Sequence, residues 1–293
     1  MIPPGQDRAS IAAIDAKEAD TAVLLCVHRG ANAAHFDEAI GSMKTQTYAR
    51  MRLFVYCDGP LTDPLEDVLQ RRLDLTDGRD IVLRGSRSCG LPTGLNTLID
   101  HALATPAIAF MARMDADDIS VPTRLAIQIG FLHDNPDVSA VGSWCIEFSH
   151  PGTADFYKRL PVKHQELATF MLYRSPFNHP TVVLRRHVFE QGFRYDPSLS
   201  QMQDYDLWSR LVIGGFRIAN VPEFLLWFRM EAGFFARRAG LRRALSEVRM
   251  RIAYAKSAEM LRGVNYLRYT SLLLLRIAPV WVRKLLYRHL RSV

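Results

Sequence analysis

From residue 21 to about residue 144, short apolar runs alternate with stretches of helical spacing. Ala22–Val27, Leu53–Cys57, Ile81–Leu83, Ile108–Met114 and Val138–Val141 lack polar alternation, the pattern of strands buried on both faces. Between them, Ala33–Lys44, Pro64–Leu73, Thr93–Ala104 and Pro122–His133 recur with helical period. Thr62, Pro92 and Pro122 stand near the starts, where caps and first-turn prolines are favoured. Repeated crossovers of this length predict an α/β fold, with a Rossmann-like, mostly parallel sheet flanked by helices on both faces. Ligands then bind beyond the carboxyl ends of the strands, so functional residues are expected just after them.

Residues 145–233 lose this rhythm. Loops rich in Pro, His and Gly (Ser149–Thr153, Ser175–Pro180, Asp196–Gln203) surround a helix predicted at Tyr205–Ile213, an α+β continuation that reads as the acceptor side of a cleft. Beyond Gly233 the pattern is helical, broken at Gly240, Gly263 and Pro279. The expected organisation is an extension at 1–20 with little order, a catalytic domain at 21–233 divided near 144, and a helical tail at 234–293.

At 293 residues, 48% hydrophobic and 23% charged, the chain has material for a large core and is not a disordered sequence. The formal charge of +7 would suggest a polyanionic partner. It is unevenly placed: residues 1–233 carry 23 basic and 28 acidic side chains, a net of −5, and residues 234–293 carry 14 and 2, a net of +12. Cys26, Cys57, Cys89 and Cys145 form no C-x-x-C pair, which argues against a zinc cluster or a disulfide framework. The N-terminal twenty residues have no signal-peptide character, and no apolar run reaches eighteen residues, so neither secretion nor a spanning helix is expected.

Three acidic features carry candidate chemistry. Arg113-Met114-Asp115-Ala116-Asp117-Asp118 follows a predicted strand directly, and three carboxylates in four positions repel one another unless a cation neutralises them. Hard oxygen ligands at such a turn suit Mg²⁺ or Mn²⁺ bridging to a diphosphate; the other reading is an acidic turn ahead of the next helix. Asp58 in Cys57-Asp58-Gly59-Pro60 ends the second strand, where an acid can accept from a ribose or base, and where Asp-Gly is also an ordinary turn pair. Asp204 in Gln203-Asp204-Tyr205-Asp206-Leu207-Trp208 sits at a helix start, placed either for an N-cap or for a general base on a cleft rim.

In order, these features resemble the bacterial family 2 glycosyltransferases of the GT-A fold, over about residues 21–231. The matching text includes Val23–Val27 with His28-Arg29-Gly30, Ser42 to Tyr48, Phe54 to Gly59, and Gly90-Leu91 with Leu95-Asn96. It continues through Met111 to Ile119, Pro122 with Arg124-Leu125, Asn135-Pro136, His179-Pro180-Thr181, Asp204 to Leu211, and Pro222 to Arg229. The resemblance implies that Asp58 reads the nucleotide base of a sugar-nucleotide donor, most often uridine, with His28 and Arg29 nearby. It implies that Asp117 and Asp115 are the ends of a D-x-D motif holding Mn²⁺ or Mg²⁺, with Arg113 beside them and Asp118 next to the pair. Asp204 would deprotonate the acceptor hydroxyl, giving inversion at the anomeric carbon.

The chain departs from the family pattern at three places. Gln203-Asp204 stands where the family has Glu-Asp, Phe228-Arg229-Met230-Glu231 where many relatives have Tyr-Arg-x-His, and Cys57-Asp58-Gly59-Pro60 where relatives show Asp-Asp-Gly-Ser. Glu231 could supply an oxygen at the histidine position or serve a surface role. His179 and Arg229 read either as diphosphate or acceptor contacts, or as an interior histidine and an ion-paired arginine.

At 100° per residue, Arg283, Lys284, Arg288 and Arg291 fall within a sector of about 140°, opposite Trp281, Val282, Leu285, Leu286 and Leu290. Such a basic amphipathic helix suits an anionic lipid surface, or it packs on the catalytic domain with a solvated basic face. No nucleic-acid motif accompanies the charge. The expected protein is a cytoplasmic enzyme, peripheral at the inner face of the plasma membrane, that moves a sugar from a UDP-sugar to a lipid-linked glycan. Its competitors are the same chemistry on a protein or small-molecule acceptor, and a donor-binding assembly subunit without turnover.

Overall fold

The structure is a computed structural model that describes residues 19–230 and 241–277. Its first half follows the strand and helix alternation: β1 (Thr21–His28), α1 (Ala33–Lys44), β2 (Met51–Asp58), α2 (Asp63–Arg72), β3 (Ile81–Arg84), α3 (Leu91–Leu103), β4 (Phe110–Met114), β5 (Ile119–Ser120) and α4 (Arg124–Asp134). Asn32 caps α1, its Oδ1 accepting from the amides of Ala34 and His35, which satisfies two of the free N–H groups of the first turn. The second half contains β6 (Val138–Phe148), β7 (Phe156–Lys158), α5 (His164–Phe170), β8 (Val183–Arg185), α6 (Arg186–Glu190), α7 (Gln203–Ile213) and β9 (Arg217–Arg229), followed by α8 (Leu241–Ser257) and α9 (Gly263–Ile277).

All nine strands join one sheet in the order β3-β2-β1-β4-β8-β6-β9-β5, with β7 on β6. The β3-β2-β1-β4 part is parallel, as the crossovers require. Beyond β4 the sheet is mixed: β8 runs antiparallel to both β4 and β6, and β6 pairs β9 in parallel. The parallel part of the expected sheet is thus the first half together with the β6–β9 pair.

The period-2 alternation of the strands splits the core in two. Val23, Leu25 and Val27 face a cluster with Phe36, Ile40, Met43, Leu125 and Ile129, on the side of α1, α2 and α4. Ala22 and Leu24 face the other cluster, with Leu98, Ile99, Leu167, Trp208, Leu211 and Tyr254 from α3, α5, α7 and α8. Covering both faces explains why the central strands carry no polar alternation.

Two elements run beyond the pattern. β6 reaches Phe148 instead of stopping near Val141, because its ladder with β9 runs on to Phe148↔Arg229 and β7 pairs its end; Ser143 and Glu147 are buried within it. β9 was not expected, since Asn220, Pro222 and Glu223 break its hydrophobic run. Its register jumps from Ser143↔Val221 to Trp144↔Phe224, so Pro222 and Glu223 bulge out where no ladder bond is needed.

The C-terminal helices belong to the body of the fold. The hydroxyls of Tyr254 and Tyr205 donate to the carbonyls of Ala168 and Met171, and Arg251, held by the buried Glu247 one turn away on α8, donates to the Met171 carbonyl and stacks 5.1 Å over the Tyr205 ring of α7. α8 thus packs on the body of the fold, while α9 leaves Val264, Tyr266 and Leu267 exposed; the boundary expected at 233/234 lies outside the described residues. No helix of the described residues is long and apolar enough to cross a membrane. The amphipathic segment at 280–291 and Glu231 lie outside the described residues, as do residues 1–18 of the N-terminal extension. Its last residue, Asp20, accepts from the Tyr48 hydroxyl at 2.8 Å.

Candidate functional site

The carboxyl ends of β1 and β2 are level, with His28 opposite Asp58, while β4 ends three residues earlier, with Met114 opposite Leu25, so the acidic turn leaves the sheet beside the last residues of β1. Asp58 is buried, and its carboxylate accepts from Ser88 Oγ and the Cys89 amide, both at 2.7 Å, and from the Gly90 amide at 3.1 Å. It holds down the loop that starts α3. Gly59 makes this possible: its φ is +83°, and a Cβ there would stand 2.9 Å from the Ser88 nitrogen. His28 and Arg29 are exposed at the neighbouring strand end, with His28 Nδ1 accepting from the Gly30 amide at 3.0 Å.

After β4, the chain turns through Asp115, Asp117 and Asp118, whose carboxylate oxygens approach within 4.8 Å of one another. Asp118 is 1% exposed. One of its oxygens accepts from the Arg229 amide at 2.8 Å, and Oδ2 is buried with no hydrogen-bond partner. Burial, then the charges of Asp117 and Asp115, push its carboxyl well above the usual range. A buried orphan oxygen among three crowded carboxylates fits a hard divalent cation, which would supply the missing partner and the missing charge.

Arg113 lies beneath this turn. Its guanidinium is buried, donates to the Leu24 carbonyl at 3.1 Å and to the Met114 carbonyl, and pairs with Asp115. It therefore fixes the Asp115 side chain and the end of β4. Arg229 closes the turn from above: Nε donates to the Asp117 carbonyl at 2.8 Å, Nη2 pairs with Glu38 of α1, and the group lies 4.6 Å from the Phe148 ring centroid. Its donors are committed to holding the turn.

Asp204 occupies the first turn of α7, partly exposed, and Gln203 beside it has a buried Oε1 with no partner. The helix is entered through Met202 with φ of 62°, a left-handed conformation costly for methionine, of the kind that clusters at functional sites. His179 interacts electrostatically with Arg113, Asp204 and Asp115, as does Tyr195. Burial, then Arg113, hold the His179 imidazole down to about 4, and burial keeps the Tyr195 phenol protonated.

Several residues of the site escaped sequence reading. Tyr195 and Cys26 interact with the same charges as the acidic turn, and burial pushes the Cys26 thiol up to about 12, so it is inert at neutral pH. Arg124 is wholly buried; it donates to Ser120 Oγ at 2.8 Å and to the carbonyls of Arg113 and Pro180 at 3.1 and 2.8 Å, joining β4 to the His179–Thr181 turn. The Pro122-x-Arg124 spacing was a visible signal for Arg124. Nothing local to Tyr195 marked it.

The parallel half-sheet with an acidic turn just after β4 is the architecture expected of a GT-A glycosyltransferase, and the comparisons with known proteins agree with it. The chain belongs to glycosyl transferase family 2, whose family model matches residues 23–193. It is 29% identical over 268 residues to the amylovoran biosynthesis glycosyltransferase AmsE of Erwinia amylovora, covering 90% of this chain and 97% of that one. It is 26% identical over 265 residues to the UDP-Gal:alpha-D-GlcNAc-diphosphoundecaprenol beta-1,3-galactosyltransferase of Escherichia coli, covering 90% of each. Among solved structures, S. aureus TarS 1–349 in complex with UDP-GlcNAc superposes with a TM-score of 0.64 at 13% identity, over 88% of this chain and 72% of that one. The mannosyltransferase PcManGT of Pyrobaculum calidifontis, in complex with GDP-Man and Mn²⁺, does so at 0.58 and 17%, over 90% and 83%.

Proposed function

We propose that this protein is an inverting, metal-dependent glycosyltransferase that moves a sugar from a UDP-sugar to a hydroxyl of a lipid-linked glycan in surface polysaccharide assembly. The observation that carries the reading is the buried, unpartnered oxygen of Asp118 within the Asp115–Asp117–Asp118 cluster. Asp117 and Asp115 would hold Mn²⁺ or Mg²⁺, with Asp118 completing the acidic turn and Arg113 fixing Asp115. When bound, the cation neutralises charge developing on the departing diphosphate. Asp58, His28 and Arg29 lie toward the nucleoside end of the donor.

Asp204 takes the proton from the acceptor hydroxyl as that oxygen bonds to the anomeric carbon. The bond from that carbon to the diphosphate oxygen breaks, and the nucleoside diphosphate leaves with the electron pair. Attack opposite the leaving group inverts the centre. The galactosyltransferase, named for a diphosphoundecaprenol-linked acceptor, supports the lipid-linked class, and AmsE, named for amylovoran biosynthesis, supports polysaccharide assembly. The net +12 of residues 234–293 supports contact with an anionic membrane at its inner face.

A screen of UDP- and GDP-sugars with Mn²⁺, read by mass spectrometry against total lipid-linked oligosaccharide, tests the reading. The expected outcome is a mass increment of one sugar with a UDP donor. Consumption of GDP-sugars alone would overturn the donor assignment, and modification of a soluble acceptor alone would overturn the lipid-linked one.

A further inference from the structure

His179 and Tyr195 are joined by a hydrogen bond of 3.0 Å between the imidazole Nε2 and the phenol hydroxyl. They come from separate segments, a short turn before β8 and the loop before α7, so the contact is made by the fold. Tyr195 is itself held at two points: the Asn96 amide donates to its carbonyl at 2.8 Å, and its N–H donates to Asn96 Oδ1 at 2.9 Å. Asn96 lies on α3, whose start is pinned by Asp58.

The imidazole is also packed edge-on against Trp208, with ring centroids 6.1 Å apart. Trp208 stands four residues after Asp204 on α7, hence on the same side of that helix. The turn carrying His179 is bound to the end of β4 by Arg124, which donates to the Pro180 and Arg113 carbonyls, and by the Arg113 amide, which donates to the Val182 carbonyl at 2.7 Å. His179 thus sits between the acidic turn and the helix of Asp204, and it interacts with carboxylates of both.

Its chemistry is asymmetric. Nε2 is occupied by Tyr195, whereas Nδ1 makes no hydrogen bond among the described residues, and the residue is half-buried. The ring is uncharged at neutral pH, so it neither repels a cation on the aspartates nor neutralises Asp204. An uncharged nitrogen beside a base suits a hydroxyl, with which it forms a directional bond.

We propose that His179, fixed through Nε2 by Tyr195, presents Nδ1 to a sugar hydroxyl in the space between Asp115 and Asp204, and that Tyr195 and Asn96 are positioning residues for it. The inference rests on the site being a centre of glycosyl transfer. The hydroxyl belongs either to the donor sugar or to the acceptor, two sources of one chemistry.

Asparagine and glutamine separate the two ring nitrogens, since the Asn amide overlies Nδ1 and the Gln amide overlies Nε2. The test uses the full chain with Mn²⁺, the UDP-sugar it consumes fastest, and total lipid-linked oligosaccharide as acceptor. Three quantities are measured: UDP affinity by calorimetry, donor hydrolysis without acceptor, and kcat and KM for transfer. One substrate hydrogen bond corresponds to about tenfold. His179→Asn is expected to retain kcat/KM about tenfold above His179→Gln, and Tyr195→Phe to lose about tenfold, with UDP affinity within about twofold of wild type in all three.

A parallel loss of donor hydrolysis assigns the hydroxyl to the donor, and a loss of transfer alone assigns it to the acceptor; either supports the proposal. His179→Gln equal to or better than His179→Asn overturns it, as does a Tyr195→Phe enzyme that folds and turns over at the wild-type rate. If Tyr195→Phe does not fold, the ranking of the two His179 variants decides. A wild-type protein that neither binds UDP nor consumes any nucleotide-sugar would sink the transferase reading itself, an outcome distinct from altered rankings in an active enzyme.

Discussion

The backbone N–H of Arg229 donates to Asp118 Oδ1 at 2.8 Å, so the last residue of β9 holds one oxygen of a carboxylate whose other oxygen is buried and unpartnered. Residues 111 positions apart in the chain thereby build one corner of the acidic turn. Arg229 adds its Nε to the Asp117 carbonyl and its ion pair to Glu38, so the turn is held from two directions.

Metal binding should therefore appear as stability. Mn²⁺ is expected to raise the melting temperature of the wild type, and EDTA to reverse the rise. Asp118→Asn removes a buried charge that its neighbours repel, so the metal-free variant should gain on the order of 1 kcal/mol while its response to Mn²⁺ shrinks. Differential scanning fluorimetry with and without Mn²⁺ measures both, and an undiminished Mn²⁺ response would exclude Asp118 from the cation site.

Asp204→Asn keeps the shape of the α7 start and removes the proton acceptor. Transfer should slow by roughly 10²–10⁴, with UDP affinity within about twofold of wild type. Asp117→Asn should lower both quantities. Parallel kinetics and calorimetry on the two variants distinguish a base from a donor-binding group, and equal transfer rates for wild type and Asp204→Asn would remove Asp204 as the base.

Arg124 carries a charge in a fully buried position, where desolvation pulls its guanidinium down to about 10, yet it satisfies the Arg113 and Pro180 carbonyls that no other described donor reaches through a side chain. Arg124→Met should leave those carbonyls unpaired and cost about 2–4 kcal/mol in urea denaturation. Transfer by the folded fraction should fall too, because the His179–Thr181 turn loses its tie to β4.

A pH prediction follows from His179. Its folded-state value near 4 lies below the unfolded value of 6.5, so between them the unfolded chain binds more protons and stability rises with pH. The contribution is complete above about pH 6.5 and is lost as pH falls through 4. With allowance for the partial exposure of the residue, it amounts to roughly 2 kcal/mol. His164 and His187 are also shifted down, both chiefly by burial, and act in the same direction. The test is the slope of melting temperature against pH from 4 to 7, which should be shallower in His179→Asn than in wild type; equal slopes would contradict the assignment.

The first half of the fold was legible because its code is local. β1 and β2 read as uninterrupted apolar runs, α1 appeared at Ala33–Lys44 as its spacing indicates, and α7 begins within two residues of the expected Tyr205. β9 was hidden by Pro222 and Glu223, which only pairing with β6 reveals as a bulge. The acidic residues were likewise visible as residues, but their environments were not. Asp58 stood out at a strand end, and nothing in its neighbours foretold that Ser88, Cys89 and Gly90 would occupy its oxygens.

By itself, then, the sequence determined the α/β alternation, the acidic turn after β4 and the split of charge between the body and the last sixty residues, since each depends on neighbours within one strand or helix. Only the tertiary structure decided that Arg229 braces the turn, that α8 packs on α7, and that Tyr195 reaches His179. Those contacts join segments 16 to 191 residues apart. Spacing along the chain carries no record of them, because their partners are chosen by burial and by the need to satisfy polar groups once the sheet has closed.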